Sequence, residues 1–578
     1  MIRHLRRAAR PHEHISHRRA WAGVITFVVL SAVAGVVIIT RATAMAKEFF
    51  GTYASVAVTE ASQGVYHLSV GKISMNWLRQ SITLESVRLQ TNSAANRLRR
   101  APLPDTRIAL GECRVSDIGL LRLVAGRGLY AGSFGCRTVA VDATVLARAP
   151  DSARIVQVQA GPMRERPARG GFLVLQKKLT LPRTIPRVVL REINFPHSRF
   201  NFRLERLGRD AMTMSLADLR WSIQDMKIDP ADTAAWQRPL FSRSVLLSAM
   251  NFVARPSSHR IVRVGRLQAS LTDSLIEVRD VAYQPVPGHP SSIAVAAGRI
   301  ATAGLDVGTF ANGEGVETRL LEVDSLQLTV TDVKRGGARR PPRQHDTPQQ
   351  WIASELGNLA VDTARINGNF TLRELHPGHA RAGVLTFNDL EITAANVRHV
   401  VGRQTTDDVM SLELKARLQN AGLLQARFEI PLDAPRFDMR YRGSLGAMDA
   451  TTLNRFLEPA ADVRITSGRV TRGITFDVTV RNGVARGTIT PLYDQLRIKV
   501  LRDPGSGGIL GSRGTLGAAV RRVASFFANE RIVRDDNPDE ADDPVRVGRI
   551  YRIRQPTEKL PSFLWSTLKE GLFDVIKK

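Results

Sequence analysis

The sequence predicts a mainly β protein: one N-terminal membrane-crossing helix, then a long antiparallel sheet with a few short helices. Three observations predict it. Residues 20–40 carry no charge and no proline. From residue 66 onward apolar residues alternate with polar ones at period two, the pattern of strands with one buried face. A strand-rich block near the start also recurs further along the chain.

The first element is the apolar run. At 1.5 Å rise per residue, roughly 20 apolar residues match the ~30 Å hydrocarbon core of a bilayer. Arg3, Arg6, Arg7, Arg10, Arg18 and Arg19 precede it, against the single acid Glu13. Only Arg41 and Lys47 follow closely. The positive-inside rule then puts a basic tail (1–19) in the cytoplasm and the bulk of the chain across the membrane. Trp21, Phe49, Phe50 and Tyr53 suit the two interfaces. The competing reading is a cleaved signal peptide ending at Ala44 or Ala46. The run exceeds the ~7–15 residues of a signal core, which favours an uncleaved anchor. Either reading exports the rest.

Strand-like runs start at Tyr66, Leu68 and Val70, then Ile73, Met75 and Trp77, then Ile82 and Leu84, then Val87 and Leu89. Others cover Ile108–Val115, Thr138–Val145, Val188–Ile193, Met212–Ile223, Val245–Ala254, Val264–Tyr283, Ile293–Ile300 and Leu321–Val330. They continue through Val384–Ile392, Leu412–Leu418, Ala426–Ile430, Phe437–Tyr441, Val463–Val470, Ile474–Val480 and Val484–Ile489 to Leu501. In the repeat, VGKISMNWLRQSITLESVRLQ (70–90) aligns with VGRLQASLTDSLIEVRDVAYQ (264–284). IALGECRVSDIGL (108–120) aligns with IAVAAGRIATAGL (293–305), which sets Gly119 on Gly304 and Cys113 on Gly298. Residues 139–145 match 326–332 more weakly. The unit reads strand, strand, strand, short helix, strand. Such units cannot bury their apolar face alone. Proline, glycine and charge then divide the exported chain into a first β unit (41–150), a second with the internal repeat (151–333), a linker (334–350), a C-terminal β region (351–502), and a loop with terminal amphipathic helices (503–578).

The net charge is +28. The basic residues are scattered through strands, and no zinc-finger, helix-turn-helix or RNP-like pattern accompanies them, so nucleic acid is not an expected partner. A solvated arginine-biased surface, or attraction to anionic headgroups, accounts for the charge. Cys113 and Cys136 are the two cysteines. An oxidising compartment permits a disulfide between them, and two buried free thiols fit equally. No GxSxG, phosphate-binding glycine loop or HExxH is present, so no enzyme, metal or cofactor is expected. His376 and His379 flank Pro377-Gly378 and read as a turn. His12, His14 and His17 sit in the basic tail. Asp407-Asp408 and the acidic run Asp535–Asp543 read as charged loops. At the C-terminus Trp565, Leu568, Leu572 and Ile576 form an apolar helical stripe. It fits a helix capping the sheet, or one lying in a membrane interface or against a partner.

The arrangement resembles the AsmA-like proteins of Gram-negative envelopes, relatives of TamB and YhdP. The residues that carry the likeness are the anchor, the strand pair ending Ser86-Val87-Arg88-Leu89, and the helix-bearing 117–127 between strands. Leu453–Leu501 adds Ser467, Gly468, Gly483, Gly487, Tyr493 and Leu496, and FLWSTLKEGL closes the chain. The resemblance implies an elongated, curled sheet with an apolar groove. It implies an inner-membrane-anchored periplasmic protein that binds or transfers phospholipid and supports outer-membrane homeostasis. Groove-lining candidates are Ile73, Met75, Trp77, Ile82, Leu84, Leu267, Ile276 and Val278; ordinary core packing gives the same spacing. The alternative is an envelope scaffold that recruits partner proteins without lipid.

Overall fold

A computed structural model describes residues 48–97 (except Trp77), 104–147, 186–206, 209–232, 238–257, 260–285, 293–307, 316–333, 359–375, 381–399, 409–432, 436–501, 533–540, 542–558 and 560–577, with a few isolated positions. The expected basic tail, nearly all of the anchor 20–40, the linker 334–350, Trp77, His376, His379 and Asp407-Asp408 lie outside these residues. Among the described residues no helix is long and apolar enough to cross a membrane.

The body is mainly β: one sheet of 24 strands, largely antiparallel, with few helices. Its first strands come in broken pairs. β1 (Tyr66–Ser69) and β2 (Lys72–Asn76) lie on one line, as do β3 (Ser81–Glu85) and β4 (Val87–Thr91). The same holds for β5 (Asp105–Leu110) with β6 (Cys113–Ser116), and β7 (Leu129–Cys136) with β8 (Val139–Ala147). Pairing continues in one register through each break, β1–β4 with β2–β3, β4–β5 with β3–β6, and β5–β8 with β6–β7. β7 and β8 together then pair with the single long strand β9 (Val188–Arg206).

From there the chain is a meander in which each strand lies beside the one before it. It runs through β10 (Arg209–Ile228), β11 (Ser244–Ser257), β12 (Arg260–Ser270), β13 (Leu275–Pro285), β14 (Ile293–Ala303) and β15 (Val316–Val333). β16 (Leu359–Leu375), β17 (Gly383–His399), β18 (Val409–Leu418), β19 (Gly422–Pro431) and β20 (Met439–Leu445) follow. After the short β21 (Met448–Asp449) come β22 (Val463–Arg481), β23 (Val484–Val500) and β24 (Gly548–Ile553). The expectation of an antiparallel sheet needs correcting at two steps. β7/β8–β9 and β15–β16 are parallel, so the sheet is mixed. A parallel step needs a long return connection. The connections here are residues 148–187 and 334–358, where proline and arginine break the strand pattern.

Helices are α1 (Ala54–Ala61), α2 (Ser93–Arg97), α3 (Leu120–Val124), α4 (Asn454–Ala461) and α5 (Leu560–Ile576). β16 and β24 were not among the expected strands; β24 falls where only loop and helix were expected.

The repeat is present in the backbone. Ile73 pairs with Leu84 and Leu267 with Val278, at equivalent positions. Ser86 and Asp280 both adopt left-handed φ, 56° and 54°. Opposite them stand Gly71 and Gly265. The second block is shifted by two residues from its sequence alignment. Ile118 donates its N–H to Gln80 O and Gly119 to Tyr130 O; Leu305 does so to Ser274 O and Asp306 to Glu317 O. Gly304 (φ 70°) therefore takes the place of Asp117 (φ 55°), not of Gly119. Gly298 corresponds to Gly111, and Ile300 to Cys113. Asp tolerates the left-handed region, so one backbone role is filled by two residue types.

Two cores close the ends of the sheet. The N-terminal one gathers Ile82, Leu84, Val115, Ile118, Leu123 and Val245, and includes a disulfide between Cys113 and Cys136, facing residues on β6 and β7. The C-terminal one gathers Tyr441, Val478, Ile489 and Ile550 under Phe563 of α5.

At the breaks a glycine faces the kinked strand closely. A Cβ on Gly265 would lie 2.9 Å from Asp280 Cβ. Gly265→Val should cost about 1–3 kcal/mol through overpacking at this kink. Denaturant unfolding of the two proteins checks this; an unchanged midpoint would show that the close approach is not required.

Candidate functional site

Side chains paired across a ladder point to one face. Following the pairings therefore traces rows across the sheet. One row starts at Val87, Leu110, Val139, Ser198, Leu219 and Ala249. It continues through Leu267, Val278, Ile300, Val323, Ile366 and Ile392. It ends with Leu414, Ala426, Gly443, Phe476 and Ile489, opposite Gly548 of β24. Ser198 is its one polar side chain.

A second row runs beside it on the same face. Phe195, Trp221, Leu247, Ala269, Ile276 and Thr302 lead to Leu321, Ala364, Ala394 and Leu412. Phe428, Tyr441, Val478, Gly487 and Ile550 complete it.

Burial divides these rows into three parts. In β4–β9 Val87, Leu110, Val139 and Phe195 belong to the N-terminal core, and on β10 Leu219 is buried and Trp221 half-buried outside it. In β20–β24 they lie under α5, where Gly571 has no room for a side chain between Ile489 and Ile550. Between, from β11 to β19, Leu267, Ile276, Val278, Ile300, Leu321, Val323, Ile366, Ile392, Leu412 and Leu414 are only half-buried. The buried members there are mostly small, such as Ala269, Ala364 and Ala394. Among the described residues, α4 packs on β16 and β17, and no helix or second sheet packs over β11–β15.

The opposite face is charged. Arg299 donates to Glu277 (3.0 Å), Glu322 (3.1 Å) and Asp324 (2.9 Å), reaching strands on both sides. Arg427 pairs with Glu413 and Glu429 at 3.1 Å each, and Arg440 with Asp477 at 2.7 Å. Hydrogen bonds from Arg279 and then Arg299 hold the Glu277 carboxyl below its ordinary range. The same bonds raise the Arg299 guanidinium above its own. This face is solvated and laced across strands; the other is apolar.

The candidate lining residues fall on the apolar face but not in one environment. Leu267, Ile276 and Val278 are in the half-buried middle. Ile82 and Leu84 are wholly inside the N-terminal core, with half-buried Ile73 and Met75 packed against it. Periodicity does not distinguish the two cases, because both face the same way. Ile300, Val323, Ile366, Ile392 and Leu414 were not singled out, although their alternation is equally plain.

The terminal stripe, which Val575 can share with Ile576 and which Phe563 and Leu564 widen, meets the sheet along part of its width. α5 buries Phe563, Thr567, Gly571 and Val575, and Tyr441 hydrogen-bonds Thr567. Trp565 is exposed, and Leu568, Leu572 and Ile576 are half-buried at the margins. Small side chains let the helix backbone approach the sheet. The acidic run is anchored rather than free: Asn537 is buried and bonds Arg546, whose guanidinium pairs with Asp539. Among the described residues no cluster of His, Cys, Asp or Glu could hold a metal ion.

No family model and no curated protein matches this chain. The apolar face therefore has to be interpreted from its own chemistry.

The ion ladder gives a pH prediction. The folded-state pKa of Glu277 is lowered from 4.5, so its stabilisation is present above that value and is lost as pH falls through the folded pKa. Glu277→Gln should cost ~0.5–1 kcal/mol at pH 7. The difference between the two unfolding midpoints should shrink as pH falls below 4.5 and through the depressed folded pKa; a constant difference would rule out the charge as its source.

Proposed function

We propose that this chain is a membrane-anchored periplasmic protein of AsmA-like type, whose apolar sheet face binds phospholipid acyl chains and passes lipid along the envelope. The observation that carries the reading is the pair of apolar rows, interrupted from β11 to β19 by Thr302 alone and mostly half-buried there, with no described helix in extended contact with β11–β15. An apolar surface of this extent marks a site for an apolar partner.

The dimensions suit an acyl chain. Neighbouring strands lie about 4.8 Å apart, so the rows from β11 to β19 extend roughly 38 Å. One leaflet of a hydrocarbon core is about 15 Å deep. A chain of 16 carbons, at about 0.8 kcal/mol per CH₂, would lose on the order of 12 kcal/mol on exposure to water, and a face without directional groups offsets much of that. Paired kinks supply the curvature that a trough requires. Gly71 faces Ser86, Gly265 faces Asp280, Gly298 faces Ser325 and Gly368 faces Leu326, all along one line across the strands. A line of such glycine kinks creases the sheet along the rows. The crease gives the groove of the AsmA-like resemblance a physical origin.

The test is lipid extraction from the chain purified without added lipid, followed by mass spectrometry. Phospholipid should co-purify at near-stoichiometric amount. Ile300→Glu with Ile366→Glu, both in the open middle, should reduce it at least five-fold while circular dichroism stays unchanged. A folded, lipid-free wild-type chain would exclude the reading and favour a scaffold. Lipid that survives the double substitution would move the site elsewhere.

A further inference from the structure

The two edges of the sheet are closed by side chains rather than by strands. Among the described residues β24 pairs with β23 alone. Arg554 donates its N–H to Gly483 O, which fixes the phase of the ladder: Ile550 and Arg552 face β23. Arg549, Tyr551 and Ile553 therefore turn their N–H and C=O groups outward. An open row of this kind is a template for another strand.

One outward donor is taken and a second faces an acid. Arg549 N–H donates to Asp574 Oδ2 at 2.9 Å. The Tyr551 backbone N–H lies beside the Glu570 carboxylate. Both acids are on α5, one turn apart, so the helix lays two acceptors along the edge where a strand would lay carbonyls. At the far edge the arrangement is complementary. Ser55 and Thr59 of α1 donate their hydroxyls to Leu68 O and Tyr66 O of β1.

The β24 edge also carries side chains that suit pairing. Tyr551 and Ile553 are 56% and 55% exposed. We propose that this edge is a latent strand-pairing surface for a second copy of the chain, held closed by Glu570 and Asp574. Two-fold antiparallel pairing centred on Tyr551 sets Arg549 against Ile553 and Ile550 against Arg552 of the second copy. Tyr551 meets Tyr551, and no arginine directly opposes another. Such a self-complementary contact closes on itself as a dimer. On the far edge β1 does not offer the same surface, because its Tyr66 and Leu68 carbonyls already accept from α1.

The experiment compares full chains in mild detergent by sedimentation velocity over a hundred-fold range of concentration. The wild type should stay monomeric. Glu570→Ala with Asp574→Ala removes both acceptors but keeps Phe563, Gly571 and Val575 on the sheet. It should give a dimer that tightens self-association at least ten-fold. Adding Tyr551→Pro should return the monomer, since proline removes an outward N–H that β23 does not use. A folded double variant that remains monomeric overturns the proposal, as does a dimer that persists with Tyr551→Pro. Should the double variant misfold, Asp574→Ala alone frees the Arg549 donor; a folded single variant with no association at the highest concentration overturns it equally.

Discussion

The structure depends on keeping one face apolar through strands that are not straight. Strands here reach 19 and 20 residues, as in β9 and β10, well beyond the ~5–6 of an ordinary strand. A twisted strand of that length must bend. It does so at kinks where a left-handed residue faces a glycine, and there the alternation of both strands shifts by one while their register continues. Unless the sequence shifts its apolar phase at the same place, every side chain beyond the kink lands on the wrong face. Val262 and Val264 precede the kink and Leu267 and Ala269 follow it, a spacing of three where two is the rule. Ile276 and Val278 before Val281 and Tyr283 do the same on the neighbouring strand.

That phase shift is present in the sequence. Tyr66, Leu68 and Val70 are out of step with Ile73, Met75 and Trp77, and Ile82 and Leu84 with Val87 and Leu89. Alternation located strands and faces, because it is the direct signature of a half-buried pleat; that the steps between runs are kinks is seen only in the fold. Other features depend on information that alternation does not hold. A parallel step looks like an antiparallel one from within a strand; only the length of the return connection differs. Glycine identity drew the second repeat block two residues out of register, since Asp117 performs the backbone role of Gly304. α5 buries Thr567 and Gly571 as well as Phe563 and Val575; the small pair contribute close approach rather than area, which an apolar stripe does not register. Whether a row is covered depends on what packs above it, which no single strand encodes.

The distribution of burial follows from this economy. From β11 to β15 the strands contact chiefly their neighbours, as in a repeat protein whose stability accumulates from nearest-neighbour terms. Cross-strand ion pairs such as Arg299 with Glu277, Glu322 and Asp324 add small increments on the solvated face. The closed cores at the two ends bury the large side chains, Ile82 and Leu84 at one, Tyr441 and Phe563 at the other. The middle can leave leucine and isoleucine half-buried because the ends hold the ladder in register. The disulfide between Cys113 and Cys136 joins neighbouring strands within one of those ends, where the second copy of the repeat has Ile300 and Val323 instead.

The chemistry of the open rows bears on what they could hold. A protein partner fixes its orientation through hydrogen bonds and charges placed among its apolar contacts. From β11 to β19 the rows offer Thr302 and otherwise methyl, methylene and aromatic groups; ion-paired residues such as Glu277, Arg299 and Glu322 point the other way. A surface so uniform along its length discriminates poorly between positions, so an occupant can shift from one strand to the next with little change in energy. That is a poor property for a docking site and a useful one for a track. An acyl chain has the matching uniformity: each CH₂ gains about the same on leaving water, wherever along the row it lies. The same sameness that leaves the rows without a site in the usual sense is therefore what makes lipid the occupant they suit best.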